Sequence, residues 1–125
     1  MKKVLLDSDV IIDILRGFKE TMKKVEELFE ENELYISGIT EMEIFAGKDM
    51  EKEEKRKKIV EMISKFKKVN PTNEIFRLAG DFRRRYNISI PDCLIAATAY
   101  SIGAILFTKN VHDFRKIEEI KILHV

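Results

Sequence analysis

The sequence has few cysteine, proline and glycine residues and no tryptophan. Of its 125 residues, one is cysteine, two are proline, five are glycine and none is tryptophan. The single cysteine, Cys93, excludes an internal disulfide and a thiolate zinc cage. Neither sign of charge predominates, because 23 Lys and Arg residues stand against 22 Asp and Glu residues. Attraction to nucleic acid would therefore depend on a local basic patch.

Long apolar runs are also missing. The N-terminal segment MKKVLLDSDVII is interrupted by Asp7 and Asp9, which is unlike a signal peptide. No stretch approaches the ~20 apolar residues of a membrane span. Apolar residues nevertheless make up 45% of the chain, enough for one hydrophobic core. We therefore expect a single soluble, cytoplasmic domain over residues 1–125, with no membrane partner.

The sequence does contain short β-rich runs that alternate with amphipathic helical patterns. Strands are predicted over residues 3–6, 34–37, 66–69, 104–107 and 120–124. Helices are predicted over residues 18–31, 51–68, 72–86 and 90–102, with Asn87 as a left-handed cap after the third. This alternation predicts an α/β fold with a mostly parallel sheet and helices on both faces. In such sheets ligands bind beyond the carboxyl ends of the strands.

Carboxylates recur at that predicted edge. Asp7 directly follows the first strand, Glu43 lies one short turn beyond the second, and Asp113 follows the strand at 104–107. Asp92 stands at the start of the helix over residues 90–102. Like charges gathered at one edge need a cation, and carboxylates without a cysteine or histidine set favour Mg²⁺ or Mn²⁺ over zinc. The pattern predicts a metal site suited to phosphoryl chemistry.

Each acid also has a purely structural interpretation. Asp7 and Asp92 are residues of the kind that stabilise helix N-termini, and Asp113 would lie in the first turn of a short helix beginning near Val111. Glu43 fits a capping box with Thr40, in which the glutamate folds back to the N-cap amide. Among the basic residues, Arg16, Lys48 and especially Lys109 are candidates for phosphate contacts, whereas the run Arg83–Arg85 is more typical of a solvated helix face.

Four segments carry a more specific signal: residues 5–17 (LLDSDVIIDILRG), 36–47 (ISGITEMEIFAG), 91–99 (PDCLIAATA) and 106–110 (LFTKN), the last followed by Asp113 and Phe114. In this order they resemble the motifs of PIN-domain ribonucleases, and most closely those of VapC-like toxins of type II toxin–antitoxin pairs. The resemblance implies a three-layer α/β/α fold and Mg²⁺- or Mn²⁺-dependent cleavage of RNA. It also implies a cognate antitoxin and a homodimer.

The same resemblance assigns roles by position. Its acidic, metal-binding set matches Asp7, Glu43, Asp92 and Asp113, of which Asp7 and Asp92 would be the principal ligands. Its supporting polar residues match Ser8, Thr108 and Asn110, and these would help to hold the cofactor. Asp9 stands where the family often has asparagine.

Two alternatives remain from the sequence. A phosphoacceptor receiver domain is also α/β and uses Mg²⁺, but it needs an aspartate closing a middle strand, and the run over residues 66–69 ends in Asn70 and Pro71. A non-catalytic PIN-like module that binds RNA would preserve the fold and the partners without the chemistry.

Overall fold

A computed structural model describes residues 2–125, which form five strands and seven helices. The strands are β1 (Lys2–Leu6), β2 (Asn32–Ser37), β3 (Lys67–Val69), β4 (Ile105–Thr108) and β5 (Ile122–His124). The helices are α1 (Ser8–Leu15), α2 (Lys19–Glu31), α3 (Gly38–Phe45), α4 (Glu53–Ile63), α5 (Asn73–Tyr86), α6 (Ile90–Ile102) and α7 (Val111–Phe114). A 3₁₀ turn, Lys48–Glu51, joins α3 to α4.

All five strands are parallel and lie in the order β3-β2-β1-β4-β5. The register places Leu5 of β1 beside Tyr35 of β2 and Leu106 of β4. The carboxyl ends of the strands therefore share one edge, with β1 at its centre. In a receiver domain the third strand is the middle one, whereas β3 lies at the edge of this sheet, which argues against that alternative.

Side chains of β1 point alternately to the two faces of the sheet, and a layer of helices packs on each face, so the core has two parts. Leu5 and Leu106 pack with buried residues of α5 and α6, among them Phe82 and Ala96. Val4, Leu6 and Phe107 point to the opposite face and pack against α1, α2 and α4. Because successive side chains of a strand face opposite sides, nearly continuous apolar strands are covered on both faces. The predicted three-layer α/β/α fold is confirmed.

The helix predicted over residues 51–68 was too long at both ends. The helix α4 ends at Ile63, and Lys67 already belongs to β3. Phe66 continues the apolar spacing of the helix, yet it packs from the intervening turn, where its ring stacks on Phe29 with centroids 5.3 Å apart. Apolar spacing alone does not distinguish these two arrangements.

The end of α5 agrees with the prediction. Asn87 is the left-handed cap, with φ of 53°, a conformation that asparagine tolerates better than most residues. Within residues 2–125, no helix combines the length and the apolar character required to cross a membrane.

Candidate active site

Asp7 occupies the junction between the central strand and α1. Its Oδ1 accepts the backbone N–H of Ser8 at 2.8 Å, so the carboxylate caps α1. Its Oδ2 accepts the hydroxyl of Thr108, the last residue of β4, at 2.7 Å. The residue is only 6% exposed. Asp7 is therefore both the N-cap of α1 and a buried carboxylate of the candidate site.

The segment after β4 connects Asp7 to two further acids. The Thr108 hydroxyl accepts the backbone N–H of Asn110 at 2.9 Å. The side-chain amide of Asn110 donates to Asp92 Oδ2 at 3.4 Å and to Asp113 Oδ2 at 3.1 Å. Asp92 is in the first turn of α6 and Asp113 is in α7. One threonine and one asparagine thus join three acids that are distant in sequence.

Glu43 joins the network from the other side, through Ser8. The Ser8 hydroxyl donates to Glu43 Oε1 at 3.0 Å and lies 3.0 Å from the hydroxyl of Thr40. Since Ser8 has one hydroxyl proton and gives it to Glu43, Thr40 donates to Ser8. The capping box is wrong, because α3 begins after the N-cap Ser37 and Thr40 lies inside the helix, fully buried. The exposed Glu43 carboxylate therefore faces the site.

Burial and mutual repulsion shape the charges of this cluster. The pKa of Asp7 is raised from 3.8 to about 7, chiefly by desolvation and then by the Asp9 carboxylate, while the hydrogen bonds from Thr108 and Ser8 oppose the shift. Desolvation, with the charge of Asp113, also raises the pKa of Asp92. Within residues 2–125, no lysine or arginine forms an ion pair with Asp7, Glu43 or Asp92. Of the four acids only Asp113 has such a partner, Lys116 at 3.8 Å, so no side-chain cation neutralises the other three.

The residues present fit a hard divalent cation by their chemistry. The converging oxygens are those of carboxylates and hydroxyls, the kind of ligand that Mg²⁺ and Mn²⁺ prefer. In the described part of the chain, no three Asp, Glu, His or Cys side chains are yet close enough to enclose a metal ion. The carboxylates are instead held by Ser8, Thr108 and Asn110. A bound cation would exchange some of these contacts for direct ligation.

A groove adjoins this cluster on the side of Glu43. It has a volume of about 640 Å³, and its apolar lining residues include Ile12, Leu15, Ile44 and Ile59. Its basic lining residues are Arg16, Lys48, Lys55 and Lys58. Arg16 and Lys48 were candidates for phosphate contacts, and both lie here. The run Arg83–Arg85 is elsewhere, with Arg84 paired to Asp81 and Arg85 to Glu119.

Sequence reasoning missed two participants near the site. Thr40 was assigned to a cap, although it supports Ser8. Asp13 is buried, and the ammonium of Lys109 lies 3.0 Å from its carboxylate. Lys109 therefore has an acidic partner within the protein. The signal for Asp13 was its place four residues after Asp9 on a helix that packs against the sheet, where a charged residue is rarely buried without a partner.

The chain is similar over nearly its whole length to known proteins. The family model described as "PIN domain" matches residues 4–120. "Ribonuclease VapC10" of Mycobacterium tuberculosis is 32% identical over 123 residues, covering 94% of this chain and 90% of that protein. "Ribonuclease VapC1" of Rickettsia felis is 31% identical over 132 residues, covering 98% and 96%. A solved "Toxin-antitoxin complex from Klebsiella pneumoniae" contains a chain with TM-score 0.82 and 28% identity, covering 94% of both chains.

Proposed function

The chain belongs to the PIN-domain family, and from this we propose that it is a Mg²⁺- or Mn²⁺-dependent endoribonuclease, the toxin of a toxin–antitoxin pair. The observation that carries the proposal is one continuous network of hydrogen-bonded residues that joins Asp7, Glu43, Asp92 and Asp113 through Ser8, Thr108 and Asn110 at the carboxyl edge of the sheet. The two relatives named ribonuclease support the activity.

Each acid has a distinct task in this proposal. Asp7 and Asp92 would hold the cation, with Glu43 beside them and Asp113 completing the site. The cation would polarise the phosphate and supply activated water and charge neutralisation. Hydrogen bonds from the Thr108 hydroxyl and the Ser8 backbone N–H fix the orientation of the Asp7 carboxylate. Glu43 is exposed and held by one hydroxyl, so it is placed to orient an incoming water molecule.

The groove beside Glu43 is the proposed path of the RNA strand. Whole-molecule attraction is weak at a net charge of +1. Four basic side chains line the groove, although Lys55 is also paired with Asp49 at 3.3 Å. Phosphate contacts from such a patch give affinity without reading sequence.

The proposed partner is a small antitoxin protein that occludes the acidic site. The Klebsiella pneumoniae structure, described as a toxin–antitoxin complex, supports this assignment at 28% identity. The proposal also includes a single domain over residues 1–125 and a homodimer. Light scattering of the purified chain, alone and with the product of an adjacent reading frame, tests both assemblies.

The test of the activity is cleavage of a labelled single-stranded RNA in Mn²⁺. We expect cleavage by the wild type, loss with EDTA, and loss in Asp7→Asn and Asp92→Asn. Asp81→Asn is the matched control, because it removes an aspartate charge from the exposed part of α5. Cleavage that survives Asp7→Asn would overturn the proposal. Metal-independent RNA binding without cleavage would instead favour the non-catalytic module.

A further inference from the structure

A second ionic cluster adjoins the acidic site, where α1 meets α2 and the segment after β4. Its centre is Asp13, which is 4% exposed. The hydroxyl of Thr21 in α2 donates to Asp13 Oδ2 at 3.0 Å. The ammonium of Lys109 lies 3.0 Å from each carboxylate oxygen of Asp13. Asp13 thus ties α1 to α2 and to the segment after β4.

Lys109 is attached to α1 at two points. Besides the ion pair, its backbone N–H donates to Asp9 Oδ2 at 3.2 Å. Its ammonium also lies 5.6 Å from the centre of the Phe18 ring, within range of a cation–π contact. The residue stands between Thr108, which donates to Asp7, and Asn110, which bridges Asp92 and Asp113. A residue held at both its backbone and its side chain fixes the turn on which its neighbours depend.

We propose that Lys109 is a positioning residue, whose ion pair with the buried Asp13 holds the turn 108–110 so that Thr108 and Asn110 align the acidic site. This inference rests on the proposed nuclease function, which it deepens. It differs from the expectation that Lys109 contacts a phosphate of the substrate. Nearly half of the Lys109 side chain is exposed, but that of Asp13 is only 5% exposed.

The burial of Asp13 explains why the pair is specific. A carboxylate removed from water needs a cation and hydrogen bonds in good geometry, and it is strongly destabilising without them. Lys109 and Thr21 supply both. A displaced turn would therefore leave Asp13 without its cation. The ion pair favours the one arrangement of residues 108–110 that the acidic site requires.

The kinetic test compares Lys109→Met with Lys109→Arg and with the control Lys24→Met. Lys24 lines the same surface pocket as Asp13 and Lys109, so its replacement removes a neighbouring positive charge. A misaligned site lowers kcat, so we expect Lys109→Met to lose about 10- to 100-fold in kcat with little change in the KM for RNA. Lys109→Arg, which keeps the charge, should recover most of kcat. The opposite result for Lys109→Met would be a raised KM at unchanged kcat, with the salt dependence of RNA binding weakened by the amount expected for about one lost phosphate contact. That result would overturn the inference and indicate that Lys109 binds the substrate.

A second readout does not depend on activity. The amides of Lys109 and Asn110 donate to Asp9 and Thr108, so their hydrogen exchange in the metal-free protein reports the turn directly. In Lys109→Met we expect it to accelerate at least about tenfold, while the amides of α5 keep their protection. Unchanged exchange would overturn the inference. A wild type that shows no cleavage would overturn only the proposed function, because the exchange result still decides whether Lys109 holds the turn.

A second variant distinguishes a misaligned site from a failure of Lys109→Met to fold. Lys109→Met leaves a buried charge on Asp13, whereas the double variant Asp13→Asn with Lys109→Met removes that charge and retains an oxygen acceptor for Thr21. We expect the double variant to fold, with kcat still low because the turn has lost its tether. Recovery of wild-type kcat in this folded double variant would contradict the positioning role.

Discussion

The metal-free protein should become more stable when Asp7 is replaced by asparagine, although the same change should remove the proposed activity. Asp7 is buried and its pKa in the folded chain is about 7, against 3.8 without the fold. Folding therefore favours the protonated acid. The favourable contribution is fully present below pH 3.8 and is lost as the pH rises through about 7. Asparagine resembles the neutral acid and does not titrate.

The magnitude follows from that difference in pKa. A change from 3.8 to about 7 corresponds to about 4 kcal/mol of unfavourable free energy for the ionised form. Asparagine keeps an oxygen acceptor for the Ser8 N–H, but its NH₂ group then faces the Thr108 hydroxyl. The hydrogen bond that Thr108 now donates to Asp7 is therefore lost, which costs about 1 kcal/mol of stability. We expect Asp7→Asn to exceed the wild type by about 3 kcal/mol at pH 8 and to gain nothing at pH 4.

Urea unfolding in EDTA at pH 4, 6 and 8 measures this difference. Asp81→Asn, on the exposed surface of α5, should show no such growth with pH. Saturating Mn²⁺ at pH 8 should stabilise the wild type, by about 2.7 kcal/mol at one hundred times its Kd, and leave Asp7→Asn unchanged. A difference between Asp7→Asn and the wild type that stays constant from pH 4 to 8 would refute the reasoning, because it would mean that Asp7 ionises freely in the fold.

Three further predictions concern the metal, the Ser8 bridge and the α5 cap. Because a cation must displace the proton of Asp7, the Kd for Mn²⁺ should rise about tenfold for each pH unit below about 7; titration calorimetry showing a pH-independent Kd would contradict this. Ser8→Ala frees Glu43 and should lower kcat about tenfold, and an effect no larger than that of the exposed Ser64→Ala would be evidence against it. Asn87→Ala should lower the free energy of unfolding in urea by about 1 kcal/mol and Asn87→Gly should leave it almost unchanged, because the two residues differ in their tolerance of the positive φ at this position. Cleavage should be unchanged in both variants. Equal losses of stability would show that the positive φ is not the cause.

The elements that position the site could be predicted because local patterns determine them. The apolar run before Asp7 predicts a strand covered on both faces, and this strand lies at the centre of the sheet. Pro91 and the alanines after it predict α6, whose bounds agree with the structure. The end of α4 could not be predicted, because Phe66 satisfies the helical spacing while packing from a turn against Phe29. That choice is made by a tertiary contact.

The linking side chains were harder to predict than the acids they join. An acid after an apolar strand is conspicuous, since burying it is costly. Thr40 and Asp13 have no such mark, because a threonine or an aspartate on a helix usually has a local explanation. Their partners are 32 and 96 residues away along the chain. The sequence therefore predicts which groups need neutralising, whereas only the fold determines which distant hydroxyl or ammonium holds each one in place.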